Sequence, residues 1–128
     1  RNFLSKVPEL IASGAALKVI NDSYGTPTYA PHMARRLREL ALLDIPGIYH
    51  MANSGEGTSY AGFLRQLDPH FAFDEATADS LQRPAPRPRN SRLACLLQPA
   101  LKLEPLPDWR AALVEFKNSF AATGAATQ

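Results

Sequence analysis

Four of the chain's ten arginines and three of its eleven prolines fall in one stretch, RPAPRPRNSRLAC, from Arg83 to Cys95. An arginine fork donates two parallel hydrogen bonds to an oxyanion and keeps its charge at any physiological pH. Proline fixes φ, so an arginine beside it is held with less entropy loss than one in a free tail. Asn90 and Ser91 add neutral donors alongside. This composition suits a diphosphate, and it also suits a basic surface linker. A polyproline ligand is disfavoured, because such ligands repeat proline every third residue and these recur every second.

The SYGTPTY loop, residues 23–29, is the other segment suited to binding. Elsewhere the chemistry is sparse. No GxGxxG or GxxxxGK[ST] loop occurs. The GEG turn at Gly55–Gly57 precedes a helix start, and a capped turn explains it better than a phosphate seat. His32, His50 and His70 are scattered without metal-ligand spacing, so no metal is expected. His50 reads as a satisfied, partly buried strand residue. No GxSxG elbow places a nucleophile. Cys95, among leucines, reads as packing. The residues form no complete catalytic set.

These groups need a scaffold, and 128 residues with 45% apolar and 20% charged side chains suggest one globular domain. A net charge of +2 is too small for a protein that coats nucleic acid or an anionic membrane. We expect neither partner. One cysteine fits a reducing cytoplasm. No apolar run approaches the roughly 18 residues that cross a bilayer, and no signal-peptide pattern opens the chain. The chain begins with Arg1 rather than Met. From this we expect a segment of a longer protein.

Periodicity predicts a first helix carrying Phe3, Val7, Leu10 and Ile11, with Pro8 inside it and Gly14 at its stop. LKVI (residues 17–20) reads as a buried strand. A helix capped by Thr28 should run to about Leu43, with Met33, Leu37, Leu40 and Ala41 inward and Arg35, Arg36 and Arg38 in solvent. GIYHMA (residues 47–52) reads as a second strand. Thr58 should cap a helix bearing Phe63, Leu64 and Leu67 that ends at Asp68. Residues 71–73 and 76–81 are weaker strand candidates. Ser91 can cap a short helix through Leu97. A last helix, about 107–120, places Trp109, Leu113, Phe116 and Phe120 on one face, and the tail 121–128 should be disordered. The order predicts an α/β fold with a small, largely parallel sheet and flanking helices. Two convincing strands do not make a stable sheet. Either the weak segments complete it, or the partner strands lie in another part of a longer chain.

Five pieces in order carry a family resemblance: NFL (2–4), LKVINDSYGTPTYA (17–30), GIYHMANSGEGTSYAGF (47–63), APRPRNSRL (85–93) and LPDWRAAL (106–113). Together they resemble the C-terminal half of the dTDP-4-dehydrorhamnose reductases, a family of extended short-chain dehydrogenases/reductases. The resemblance implies residues 1–120 as a sugar-nucleotide-binding region without its Rossmann core. It implies a parent that reduces the 4-keto group of a dTDP-6-deoxysugar with NADPH, for dTDP-L-rhamnose synthesis. The family's glycine-rich loop and Tyr-x-x-x-Lys pair are absent here: Tyr24, Tyr29, Tyr49 and Tyr60 are followed four positions on by Thr28, Met33, Asn53 and Leu64. No catalytic and no cofactor-holding residue is therefore expected in this chain, and whether it acts as an enzyme by itself stays open.

By the same resemblance, Arg87 and Asn90 would hold the dTDP diphosphate. Arg89 occupies a variable motif position beside them. Asn2 would lie near the interdomain cleft, and Thr26 and Thr28 would line the sugar end. The expected partners are a dTDP-sugar and either the missing Rossmann half or a second copy of the chain. The alternative is a non-catalytic regulatory or protein-interaction module of the same fold.

Overall fold

A computed structural model of the protein describes residues 7, 10, 12–14, 17–81 and 84–125, with side chains through residue 119. The described part is a small α/β fold that divides into two compact units, each built from two stretches of chain. The first takes residues 1–24 and 58–90, the second residues 25–57 and 91–128. Two short strands, β2 (Tyr24–Gly25) and β3 (Thr58–Ser59), stand where the chain passes from one unit to the other.

In the first unit, β1 (Lys18–Ile20) pairs in parallel with β4 (Asp74–Ala76), in the register Lys18↔Asp74, Val19↔Glu75 and Ile20↔Ala76. The strand partner that LKVI lacked therefore comes from the ambiguous segment, between the two candidates at 71–73 and 76–81. Phe71 and Phe73 flank the strand and pack on the core instead. Helix α2 (Tyr60–Leu67) supplies the cover. Its N-cap is Ser59, not Thr58: the Ser59 hydroxyl accepts the Gly62 N–H at 3.0 Å. It stops at Asp68 because Pro69 disfavours helical geometry in the residue before it. Val7, Val19, Ala61 and Leu64 make the buried cluster. Each large member contributes about 1.5–3 kcal/mol by leaving water. Val7 and Leu10 are helical and Gly14 has a φ of +63°, a helix stop. Phe3, Pro8 and Ile11 lie outside the described residues.

The second unit contains α1 (Ala30–Leu43) and α3 (Trp109–Ala125), joined by the bond between His32 and Glu115. Pro31 sits in the first turn of α1, where a missing N–H costs little, and Asp44 ends the helix at φ +50°. The N-cap is Tyr29 rather than Thr28, and no side chain caps it. The predicted stripe is displaced. His32 and Arg36 are the buried residues of α1, whereas Met33 and Leu37 are 37% and 56% exposed. Specific polar partners for the two buried side chains outweigh the apolar count.

Two further expectations fail here. GIYHMA forms no strand: it has no ladder partner among the described residues, Ile48 is exposed, and the Tyr49 hydroxyl donates back to the Ile45 carbonyl at 2.8 Å. An apolar run states burial preference but not a hydrogen-bonding neighbour. His50 is consequently exposed, not a half-buried strand residue. Residues 91–95 have no regular structure rather than a helix, and 96–102 form successive turns. A segment that short cannot repay helix nucleation with Pro99 so near. No helix among the described residues is long and apolar enough to cross a membrane.

Candidate functional site

The arginine–proline stretch of the first unit is anchored through its backbone. The Tyr24 N–H donates to the Arg89 carbonyl at 2.8 Å, and Tyr24 and Asn90 form a parallel bridge. The Arg89 guanidinium is shared between two carboxylates, Asp22 and Asp79, the latter at 2.5 Å. The second Asp22 oxygen accepts the Ala78 N–H at 2.7 Å, at the start of the 3-10 turn Ala78–Ser80. Arg89 thus clamps that turn to the loop after β1. Arg87 differs. It is exposed between Pro86 and Pro88 and has no ion-pair partner among the described residues. Within residues 84–90 it is the positive charge left uncompensated, two positions from a neutralised arginine. Asn90 is exposed beside it. Arg83 and Asn2 lie outside the described residues.

In the second unit, Thr26 and Thr28 are half-buried in the turn that enters α1. The Thr28 hydroxyl donates to the Thr26 carbonyl at 3.3 Å. The next residue is held from below: the Tyr29 N–H donates to Asn53 Oδ1 at 2.8 Å. Asn53 is 4% exposed, and its Nδ2 donates to the Pro107 carbonyl at 2.8 Å and to His32 Nδ1 at 2.9 Å. That bond makes Nδ1 an acceptor. The His32 proton is then on Nε2 and donates to Glu115 Oε2 at 3.0 Å. The Tyr29 ring meets His32 edge-on at 5.2 Å. His32, 1% exposed, is therefore fully satisfied. Sequence reasoning missed this set, because its bonded partners are up to 83 positions apart and form no motif.

The NSGEG loop rests on the start of α3. The Ser54 N–H donates to the Pro107 carbonyl at 3.0 Å, and Ser54 returns its own carbonyl to the Trp109 N–H at 3.1 Å. Trp109, 2% exposed, donates its indole N–H to the Glu56 carbonyl at 2.7 Å. The loop's two glycines serve backbone packing. Gly55 has a φ of +96°, and a Cβ there would lie 2.1 Å from the Asp108 carboxylate. A Cβ on Gly57 would lie 2.2 Å from Arg92 Cδ. Among the described residues, no group of three or more His, Cys, Asp or Glu side chains suits a metal ion.

The class follows from the family comparison. Residues 1–122 match the model of the RmlD substrate binding domain, and the chain belongs to that family. Its curated relatives include a dTDP-4-dehydrorhamnose reductase of Streptomyces griseus, 36% identical over 124 residues, which cover 89% of this chain and 40% of the relative. A second is the Mycolicibacterium smegmatis dTDP-4-dehydrorhamnose reductase, 30% identical, with 98% of this chain and 39% of the relative covered. The chain thus spans about 40% of the length of these relatives. Among solved structures, a Bacillus anthracis dTDP-4-dehydrorhamnose reductase in complex with NADP superposes with a TM-score of 0.86 at 20% identity, covering 93% of this chain and 43% of that one. The Clostridium acetobutylicum orthologue gives 0.83 at 24% identity, covering 94% and 44%. At these identities the likeness establishes the fold: that of the reductases' substrate-binding portion.

Proposed function

We propose that the chain is the dTDP-sugar-binding portion of a dTDP-4-dehydrorhamnose reductase, and that by itself it binds but does not reduce. The observation that carries this reading is Arg87: a guanidinium with no ion pair among the described residues, held between two prolines, inside the motif APRPRNSRL. In the first unit, Arg87 grips the diphosphate bidentately and Asn90 adds a neutral donor. Arg89 sets the backbone that presents both, through its clamp on Asp22 and Asp79. The family resemblance adds Thr26, Thr28 and Asn2 as further candidate contacts. On this reading hydride comes from NADPH held by residues other than these 128; the B. anthracis reductase was solved in complex with NADP. The dTDP group gives binding energy remote from the reacting carbonyl and orients it.

Titration of the chain with dTDP by calorimetry tests this. Arg87→Ala should weaken binding by about 10- to 100-fold, the worth of one or two charge-assisted hydrogen bonds. Unchanged affinity with an unchanged circular-dichroism spectrum would remove Arg87 from the site. If the unaltered chain fails to bind dTDP, the reading itself is wrong.

A further inference from the structure

We infer that Asp79 is a built-in competitor for a phosphoryl anion: it holds one arm of the Arg89 guanidinium until a diphosphate displaces it. The inference deepens the dTDP-sugar reading above and rests on it. The residues it uses, Asp22, Asp79, Arg87 and Arg89, all belong to the first unit.

The two carboxylates on Arg89 are not alike. Asp22 takes Nη1; its side chain is 21% exposed, and its other oxygen accepts the Ala78 N–H at 2.7 Å. Asp79 takes Nη2 at 2.5 Å and is 79% exposed. Among the described residues the Asp79 side chain makes no other hydrogen bond or ion pair. The turn that carries it does not depend on it. Ala78 is held by Asp22, and the Ser80 hydroxyl and N–H both donate to the Thr77 carbonyl, at 2.7 and 3.1 Å. Asp79 can therefore leave Arg89 while the turn and the Asp22 arm stay in place.

Little opposes that departure. An exposed ion pair gains little, because water screens it and two side chains must be ordered to make it. A phosphoryl group brings more charge and three acceptor oxygens to the same guanidinium. A diphosphate has two such groups, whereas Arg87 offers one guanidinium. Arg89, two positions along and 58% exposed, supplies a second once Asp79 lets go. In the unliganded chain Asp79 stands in for that anion.

Calorimetric titrations with dTDP and with inorganic pyrophosphate, at one ionic strength, test this. Asp79→Asn keeps the side chain's shape and removes its charge, and should tighten both by about three- to fivefold. In an Arg89→Ala background the same substitution should change affinity by less than about 1.5-fold. A gain that persists without Arg89 would be long-range repulsion, and it overturns the inference. No gain in Asp79→Asn, or a gain for dTDP alone, also overturns it; each of these leaves the dTDP-sugar reading standing. Should Arg89→Ala fail to fold, carbon NMR of the unaltered chain decides: dTDP must shift the Asp79 carboxyl resonance and spare that of Asp22. An unmoved Asp79 overturns the inference. If neither the unaltered chain nor its variants bind either anion, the reading and the inference fall together.

Discussion

The guanidinium of Arg36 is buried within the second unit and donates to the main-chain carbonyl of Glu104. Its Nε also donates to Glu39, one helical turn on, at 2.8 Å. One arginine thus ties α1 to a segment with no regular structure of its own. Arg36→Met keeps the apolar stem but leaves the Glu104 carbonyl without this donor. We expect a loss of about 1–3 kcal/mol, the cost of an unmade charge-assisted bond at a buried site. Urea unfolding followed by the fluorescence of Trp109 measures it. A midpoint equal to the parent's would show that the contact carries no net stability.

Gly55 is constrained twice, by its φ of +96° and by the Asp108 carboxylate pressed against its α-carbon. Gly55→Ala must strain the backbone and displace a side chain that also accepts the Arg110 N–H at 2.7 Å, at the entry to α3. A destabilisation of about 1–3 kcal/mol is expected. The same denaturation experiment reads it, and a neutral Gly55→Ala would mean that the loop relaxes freely away from α3.

Arg89 and Asp22 should not be equivalent, although they are partners. The Arg89 pairs are well exposed, so Arg89→Ala should cost under about 1 kcal/mol. Asp22→Ala also removes the acceptor of the Ala78 N–H, a part-buried bond, and should cost about 1 kcal/mol more. Hydrogen exchange at the Ala78 amide discriminates them. Protection should collapse in Asp22→Ala and survive in Arg89→Ala. Equal loss in both would show that the ion pair, rather than the backbone bond, holds the turn.

Much of the fold is local enough to be read from the chain. α2 carries its own signals, a hydroxyl cap before it, an apolar face at Phe63 and Leu64, and Asp68-Pro69 after it. Trp109 and Leu113 at i, i+4 announced the buried face of α3. What resisted reading was set by distant neighbours. Met33 and Leu37 looked like core until His32 and Arg36 found partners at Asn53, Glu115 and Glu104. GIYHMA had the composition of a strand and no strand to pair with. For the candidate site, the arginine cluster was visible as composition, yet the division of labour inside it was not. Only the carboxylates of Asp22 and Asp79, 67 and 10 positions away, separate a paired Arg89 from an Arg87 with no ion pair among the described residues.

The two units are interleaved along the chain, and that has a kinetic consequence. The bond from Ala78 to Asp22 joins residues 56 positions apart, and the bond from Asn53 to Pro107 joins residues 54 apart. Each unit must therefore close a long loop before its packing rewards the closure, which slows folding. During synthesis the first unit has all its residues once Asn90 is made, while the second still waits for Trp109 and the helix behind it. Emerging from the ribosome, α1 carries two polar residues, His32 and Arg36, whose partners do not yet exist.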